Sequence, residues 1–132
     1  MEEEILVRAR EARGRAYAPY SGYKVGAAVE DENGNVYTGC NIENGSYGAS
    51  MCGERTAIFK AVSEGAGKIK RMAVVAEGSM PYPCGMCRQV MSEFFDSDTE
   101  IILECGGRVE RYRFEELMPY MFKLQEKGKA EK

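Results

Sequence analysis

The strongest constraint on the fold is the way hydrophobic periodicity changes along a chain of 132 residues. Residues 2–16 carry Ile5, Leu6, Ala9 and Ala12 on one face among charges, which predicts an amphipathic helix. Ala18-Pro19-Tyr20-Ser21-Gly22 breaks it. Residues 24–30 and 36–40 read as two strands joined at Asn33-Gly34, a dipeptide suited to the positive backbone angles of a hairpin turn. The polar, glycine-bearing stretch 41–50 reads as a loop. From Cys52 onward, Ala57, Ile58, Ala61 and Val62 recur at helix spacing until Gly65 stops the run. Residues 72–76 form an apolar run suited to a buried central strand. Pro81 and Pro83 punctuate before a second helix over residues 85–94. Strands at 100–104 and 109–113 flank the turn at Gly106-Gly107, and a short helix follows near 115–118. The order α-β-β-α-β-α-β-β-α predicts an α/β protein with a mixed sheet covered by helices.

This length accommodates one hydrophobic core, so a single domain is expected over residues 1–122, with a charged, frayed tail over 123–132. A net charge of −3 with scattered basic residues disfavours a protein that lives on nucleic-acid phosphate. A small neutral or cationic ligand suits this balance better. No apolar run approaches the roughly 20 residues of a bilayer-spanning helix. Met1-Glu2-Glu3-Glu4 puts acid where a secretory signal carries base, and a cytoplasmic location is expected.

Five cysteines cannot pair completely within one chain, and histidine is absent. A zinc site here must therefore be built from thiolates and carboxylates. Cys84-Gly85-Met86-Cys87 follows Pro83 at the start of a predicted helix, where positions i and i+3 share a face. The free N–H groups of a first helical turn favour thiolate over thiol. Cys52-Gly53-Glu54 stands at another predicted helix start. A thiolate from Cys52 would make three ligands and leave one tetrahedral position open, as in catalytic rather than structural zinc. Glu54 would then stand beside the open position to move protons. Three thiolates overcompensate a divalent charge, and Arg55 is suited to draw charge off the sulfurs, with Arg88 a weaker candidate. The competing readings are a four-cysteine structural site completed by Cys40 or Cys105, or a redox C-x-x-C pair. The redox pair explains neither Cys52 nor Glu54. Cys40 and Cys105 are equally readable as small buried hydrophobes, and Glu54 alone as a solvated helix residue.

Zinc nucleobase deaminases carry an H-or-C-x-E segment followed by P-C-x-x-C, each feeding a helix. Cys52-Gly53-Glu54 and Pro83-Cys84-Gly85-Met86-Cys87 match the three-cysteine version. Pro19-Tyr20-Ser21-Gly22-Tyr23-Lys24-Val25-Gly26-Ala27-Ala28, Gly39-Cys40-Asn41-Ile42-Glu43-Asn44, Glu54-Arg55-Thr56-Ala57, Cys87-Arg88-Gln89 and Leu117-Met118-Pro119 narrow the match. Over roughly residues 5–122 the chain resembles the small homotetrameric cytidine deaminases.

That resemblance implies a three-layer α-β-α fold whose mixed five-stranded sheet is flanked by helices. It implies hydrolytic deamination of cytidine and deoxycytidine to uridine and deoxyuridine with release of ammonia, a step of pyrimidine salvage. One zinc ion per chain would sit on Cys52, Cys84 and Cys87, with Arg55 and Gln89 as outer partners of the ligands. Zinc-bound hydroxide would attack C4 while Glu54 protonates N3 and then helps the amino group leave. Asn41 and Glu43 match positions that hold ribose hydroxyls. Tyr23 takes the place of a phenylalanine stacked on the pyrimidine, and its added hydroxyl needs a partner. Gly45 and Gly53 stand where alanine is usual, near main-chain substrate contacts. Tyr47 and Phe122 match aromatics used across subunits of a homotetramer. A deaminase of an antibiotic nucleoside such as blasticidin S shares the P-C-G-x-C-R segment. A zinc-stabilised binding module without catalysis is the reading from a different class.

Overall fold

The computed structural model describes residues 3–118. The tail 123–132 lies outside them. Helix α1 (Glu4–Arg13) precedes the hairpin of β1 (Val25–Asp31) and β2 (Val36–Cys40). After a single 3-10 turn (Tyr47–Ala49) come α2 (Gly53–Ser63), β3 (Ile69–Ala76) and α3 (Gly85–Phe94). The described chain closes with β4 (Phe95–Cys105), β5 (Arg108–Arg113) and α4 (Phe114–Leu117). The five strands form one sheet in the order β2-β1-β3-β4-β5. Only β3 and β4 run parallel; the other neighbours are antiparallel. This is the mixed, helix-flanked sheet that the alternating periods predict.

Strand alternation decides what each helix covers. Ala28, Ala73, Val75 and Ile102 face Ile5, Leu6 and Ala9 of α1. Their neighbours Ala27, Val29, Met72, Val74, Ile101 and Leu103 face the other way, onto Ala57, Ile58 and Ala61 of α2 and Cys87 and Met91 of α3. Residues 72–76 are buried on both sides, which is why that strand reads as an unbroken apolar run. Among the described residues no helix is long and apolar enough to cross a membrane.

Three boundaries differ by three residues or more from those that hydrophobic pattern predicts. Helix α1 stops at Arg13 rather than continuing to residue 16, because its end tightens to i→i−3 bonds: Gly14 N to Glu11 O, Arg15 N to Ala12 O and Ala16 N to Arg13 O, at 3.2, 3.0 and 3.0 Å. Strand β3 begins earlier, at Ile69, with Lys70 exposed and Arg71 half-buried in its first half. Arg71 is accommodated by Glu30 and Glu3, with Nη2 2.7 Å and Nη1 2.8 Å from their carboxylate oxygens. Strand β4 also begins earlier, directly after α3, because the polar run Asp96-Ser97-Asp98-Thr99 is extended rather than looped. Thr99 is buried there, its Oγ1 accepting from Asp96 N at 2.9 Å and donating to the Ile69 carbonyl at 3.2 Å.

Two glycines set how closely helices approach the sheet. A Cβ at Gly26 would lie 2.0 Å from the Ala9 carbonyl oxygen and 2.4 Å from Arg13 N, so α1 rests backbone-on-backbone against β1. A Cβ at Gly39 would lie 2.5 Å from Ala57 N, giving α2 the same close seat on β2. Gly26→Ala and Gly39→Ala should therefore each cost about 2 kcal/mol or more of stability, because backbone cannot yield as a side-chain tip can. Urea denaturation measures this; an unchanged midpoint for either variant would show that its helix rides outward freely.

Candidate metal centre and active site

Helices α2 and α3 deliver their first turns to the same place. Cys52 is the N-cap of α2, and its sulfur accepts from Arg55 N at 3.3 Å, the bond a serine or aspartate oxygen makes at ordinary helix starts. Cys84 is the N-cap of α3, and Cys87 lies one turn on, buried. The Cys52 and Cys87 sulfurs are 2.9 Å apart. Glu54, in the first turn of α2, is only 6% exposed. One ligand atom each from Cys52, Glu54 and Cys87 lies within 4.8 Å of the others. Cys84 is exposed and lines the same cleft, outside that tightest group.

The electrostatics follow from burial and from the helix starts. Cys52 is brought down to about 6, chiefly by the hydrogen bond from the Cys87 thiol, then by Arg55, whose Nε donates to the sulfur at 3.1 Å. Cys87 moves the other way, because it supplies that proton and is itself buried. Burial pushes Glu54 up to about 7, and negative charge on Cys52 adds to the effect. A buried carboxylate poised near neutrality can both take and return a proton. The donor set also fits zinc, which favours thiolates with an oxygen or nitrogen fourth partner. The shared thiol proton and the raised carboxyl both mark a place short of positive charge, which a divalent cation would supply.

These groups form the floor of a cleft of about 560 Å³. Tyr23, Asn41, Glu43, Tyr47 and Gly53 line it together with Cys52, Glu54, Arg55, Cys84 and Cys87. The Tyr23 hydroxyl has its partner, donating to the Ser79 carbonyl at 2.8 Å. Asn41 spans two backbone groups: Oδ1 accepts from Val25 N at 2.9 Å and Nδ2 donates to the Tyr23 carbonyl at 2.8 Å. Glu43 accepts from the N–H groups of Tyr20 and Ser21 at 2.9 and 3.1 Å and from the Ser21 hydroxyl. A Cβ at Gly53 would meet the Val25 carbonyl at 3.1 Å, a tight but nearly tolerable contact.

Other candidates fall elsewhere. Gly45 sits against the Tyr20 phenol, where a Cβ would meet the hydroxyl at 3.2 Å, and does not line the cleft. Gln89 also lies off the cleft wall, its Nε2 donating to Ser92 Oγ at 3.1 Å. Phe122 lies outside the described residues. Arg88 donates Nε to the Pro83 carbonyl at 2.9 Å rather than to a sulfur, so it braces the loop before α3. Cys40 and Cys105, at strand ends, belong neither to the ligand group nor to the cleft lining. Hydrophobic pattern missed the wall formed by Ser79, Met80, Pro81 and Tyr82. Its one sequence signal, the Pro-Tyr-Pro of residues 81–83, reads only as punctuation. Met86 was missed too: its sulfur accepts from Arg55 Nη1 at 2.9 Å.

Cysteines and a buried glutamate gathered by two helix starts beside a mixed sheet make the framework of a zinc-dependent nucleobase deaminase. Residues 1–103 match the family model described as the cytidine and deoxycytidylate deaminase zinc-binding region. The cytidine deaminase of Halalkalibacterium halodurans is 44% identical over 129 residues, covering 96% of this chain and 98% of that protein. That of Sporosarcina psychrophila is 43% identical over 126 residues, covering 94% and 93%. The crystal structure of cytidine deaminase from Burkholderia pseudomallei superimposes with a TM-score of 0.86 at 42% identity, covering 92% of this chain and 100% of that one. The chain belongs to the cytidine and deoxycytidylate deaminase family of zinc-binding enzymes.

Zinc content by plasma emission spectroscopy checks the ligand set. Cys52→Ser and Cys87→Ser should each strip most of the metal from purified protein, whereas the double variant Cys40→Ser/Cys105→Ser should keep the wild-type amount. Loss of zinc in that double variant would instead favour a four-cysteine structural site.

Proposed function

We propose that this chain deaminates cytidine and deoxycytidine by hydrolysis, giving uridine or deoxyuridine and ammonia. The observation that carries this reading is Glu54, buried among thiols at the floor of a cleft roomy enough for a nucleoside. Cys52, Cys84 and Cys87 would hold one zinc ion, whose chemistry is to make water nucleophilic by lowering its pKa towards about 7. Glu54 takes the proton released as the water oxygen bonds to C4 and hands it to N3. It then carries the second proton to the exocyclic amine, which leaves as ammonia as the C4 carbonyl forms. Atoms balance: nucleoside and water become the 4-oxo nucleoside and ammonia.

The remaining residues bind and orient. Arg55 draws charge from Cys52, keeping a thiolate-rich centre electrophilic. Tyr23 offers a ring to the pyrimidine, steadied by its hydrogen bond to Ser79. Asn41 and Glu43 turn towards the sugar hydroxyls; each is pinned by backbone, which fixes its direction at low entropic cost. Gly53 brings main-chain groups to the substrate from the cleft wall, and Gly45, behind that wall, acts by shaping the loop that carries Glu43 and Tyr47. Gln89 helps to set the first turns of α3. Tyr47 is 82% exposed and lines a surface groove with Tyr20, and Tyr17 and its bridge partner Ile42 are exposed as well. An aromatic surface of this kind suits contact with another copy of the chain. It supports a homotetramer whose Tyr47 and Phe122 complete neighbouring sites. Residues 1–122 act as one catalytic domain, in the cytoplasm, in pyrimidine salvage.

The test follows the loss of cytidine absorbance with zinc-loaded protein, in parallel with blasticidin S. Turnover of cytidine and deoxycytidine is expected. Glu54→Gln should lower kcat about 10³-fold while retaining zinc, the scale of a lost general acid–base group. Turnover of blasticidin S alone would move the substrate to antibiotic nucleosides, and no turnover of either would leave a binding module.

A further inference from the structure

Strand β5 alternates exposed and half-buried positions from Val109 on, yet one of its half-buried positions is a carboxylate. Tyr112 packs against the core that α2 and α3 cover, and Glu110, two residues earlier, shares its face. A carboxylate at an inward strand position is costly unless its oxygens are partnered. Here they are. Oε1 of Glu110 accepts from the phenols of both Tyr112 and Tyr82, each at 2.6 Å. Oε2 lies 3.4 Å from Nη2 of Arg108. The two tyrosine rings meet edge to face, 6.5 Å between centroids at 62°. The bonds from Tyr112 and then Tyr82 hold the carboxyl below its ordinary range, so both phenols donate to a charged acceptor.

The two tyrosines depend on this acceptor unequally. Tyr112 lies in a paired strand and packs on the core. Tyr82 lies in the segment between β3 and α3, flanked by Pro81 and Pro83, neither of which has an N–H to anchor it. Its own N–H is used locally, on the Met80 carbonyl at 2.9 Å. The segment is held by burial of Pro81 and Pro83, by Met80 on the core, and by Tyr23 on the Ser79 carbonyl and Arg88 on the Pro83 carbonyl. The exposed Tyr82 ring, by contrast, is tied through its hydroxyl to Glu110. Tyr82 is half exposed, lines the cleft and stands two residues before Cys84.

We propose that Glu110 is a positioning residue for the nucleoside cleft, holding the Tyr82 ring as a fixed part of its wall. The proposal rests on the deaminase reading of that cleft. With its hydroxyl hydrogen committed to Glu110, Tyr82 offers a ligand its ring rather than a polar tip. The wall shapes binding, whereas Glu54 and Cys52 sit at the start of α2, which packs on β1 and β2 away from that segment. Loss of the tether therefore acts on KM more than on kcat.

Steady-state kinetics on cytidine test this with Glu110→Ala, Glu110→Gln, Tyr82→Phe and Tyr112→Phe, each checked for melting temperature and zinc content. Glu110→Ala and Tyr82→Phe should raise KM about fivefold, with kcat changed by less than about twofold, the scale of one lost hydrogen bond. Glu110→Gln, whose amide oxygen still accepts, should recover most of the loss. Tyr112→Phe removes an equal bond on the side away from the cleft and should leave KM unchanged. Equal effects of Tyr82→Phe and Tyr112→Phe, or an unchanged KM in Tyr82→Phe, would overturn the proposal. Tyr82→Phe alone decides the matter should Glu110→Ala fail to fold. A wild-type protein inactive on cytidine would instead sink the deaminase reading and this inference with it.

Discussion

The contact between the Cys52 and Cys87 sulfurs, 2.9 Å across, is where the fold and the chemistry meet. Helix α2 packs mainly on β1 and β2, whereas α3 meets α2 as much as it meets β4, and the two first turns converge at these sulfurs. Two helix N-termini pointed at one spot concentrate partial positive charge, and thiolates are the groups such a field favours. Arg55 strengthens that field by donating twice to Cys52, through its backbone and its side chain. Glu54 meets the opposite influence, since burial and a neighbouring thiolate both hold its proton on. One arrangement thus separates the acidities of neighbouring groups, lowering the Cys52 thiol and raising the Glu54 carboxyl.

That arrangement needs close seating of helices on the sheet. Gly39 lets α2 settle on β2 until backbones touch, and Gly53 brings the first residue of α2 against Val25 and Asn41. Asn41 in turn closes the entry to β1 by bonding Val25 N and the Tyr23 carbonyl. The ring of Tyr23 and the ligand-bearing turn of α2 are therefore registered through one short stretch of β1.

Much of this is legible in sequence because the decisive signals are local. Cys52 and Cys84 fall at predicted helix starts and are N-caps in the structure. The spacing of Cys84 and Cys87 places both in one turn, and the Asn33-Gly34 hairpin joins β1 to β2 as expected. What sequence leaves hidden depends on partners far away in the chain. The extra length of β4 relies on Thr99 reaching Ile69, 30 residues back, which no local pattern of Asp-Ser-Asp-Thr announces. Asn41 reads as a solvated loop residue, yet its amide is committed across 16 residues to β1. The wall around Tyr82 is less visible still, because two prolines look like an interruption and the acceptor of the Tyr82 hydroxyl is a glutamate 28 residues on, in β5.

The first described residue has a consequence of another kind. Glu3 bonds both Arg71 in β3 and Arg111 in β5, the latter 108 positions along the chain. Helix α1, just behind it, buries Leu6 and Ala9 in a cluster that includes Ile102 of β4. In chain order α1 precedes every strand it packs against, so its surroundings are incomplete until nearly the whole sheet has been made. Local helical contacts can form at once, but loop closure over that distance comes late. Helix α1 must therefore wait with its apolar face uncovered, a window in which a newborn chain is open to chaperones and to other unfinished chains.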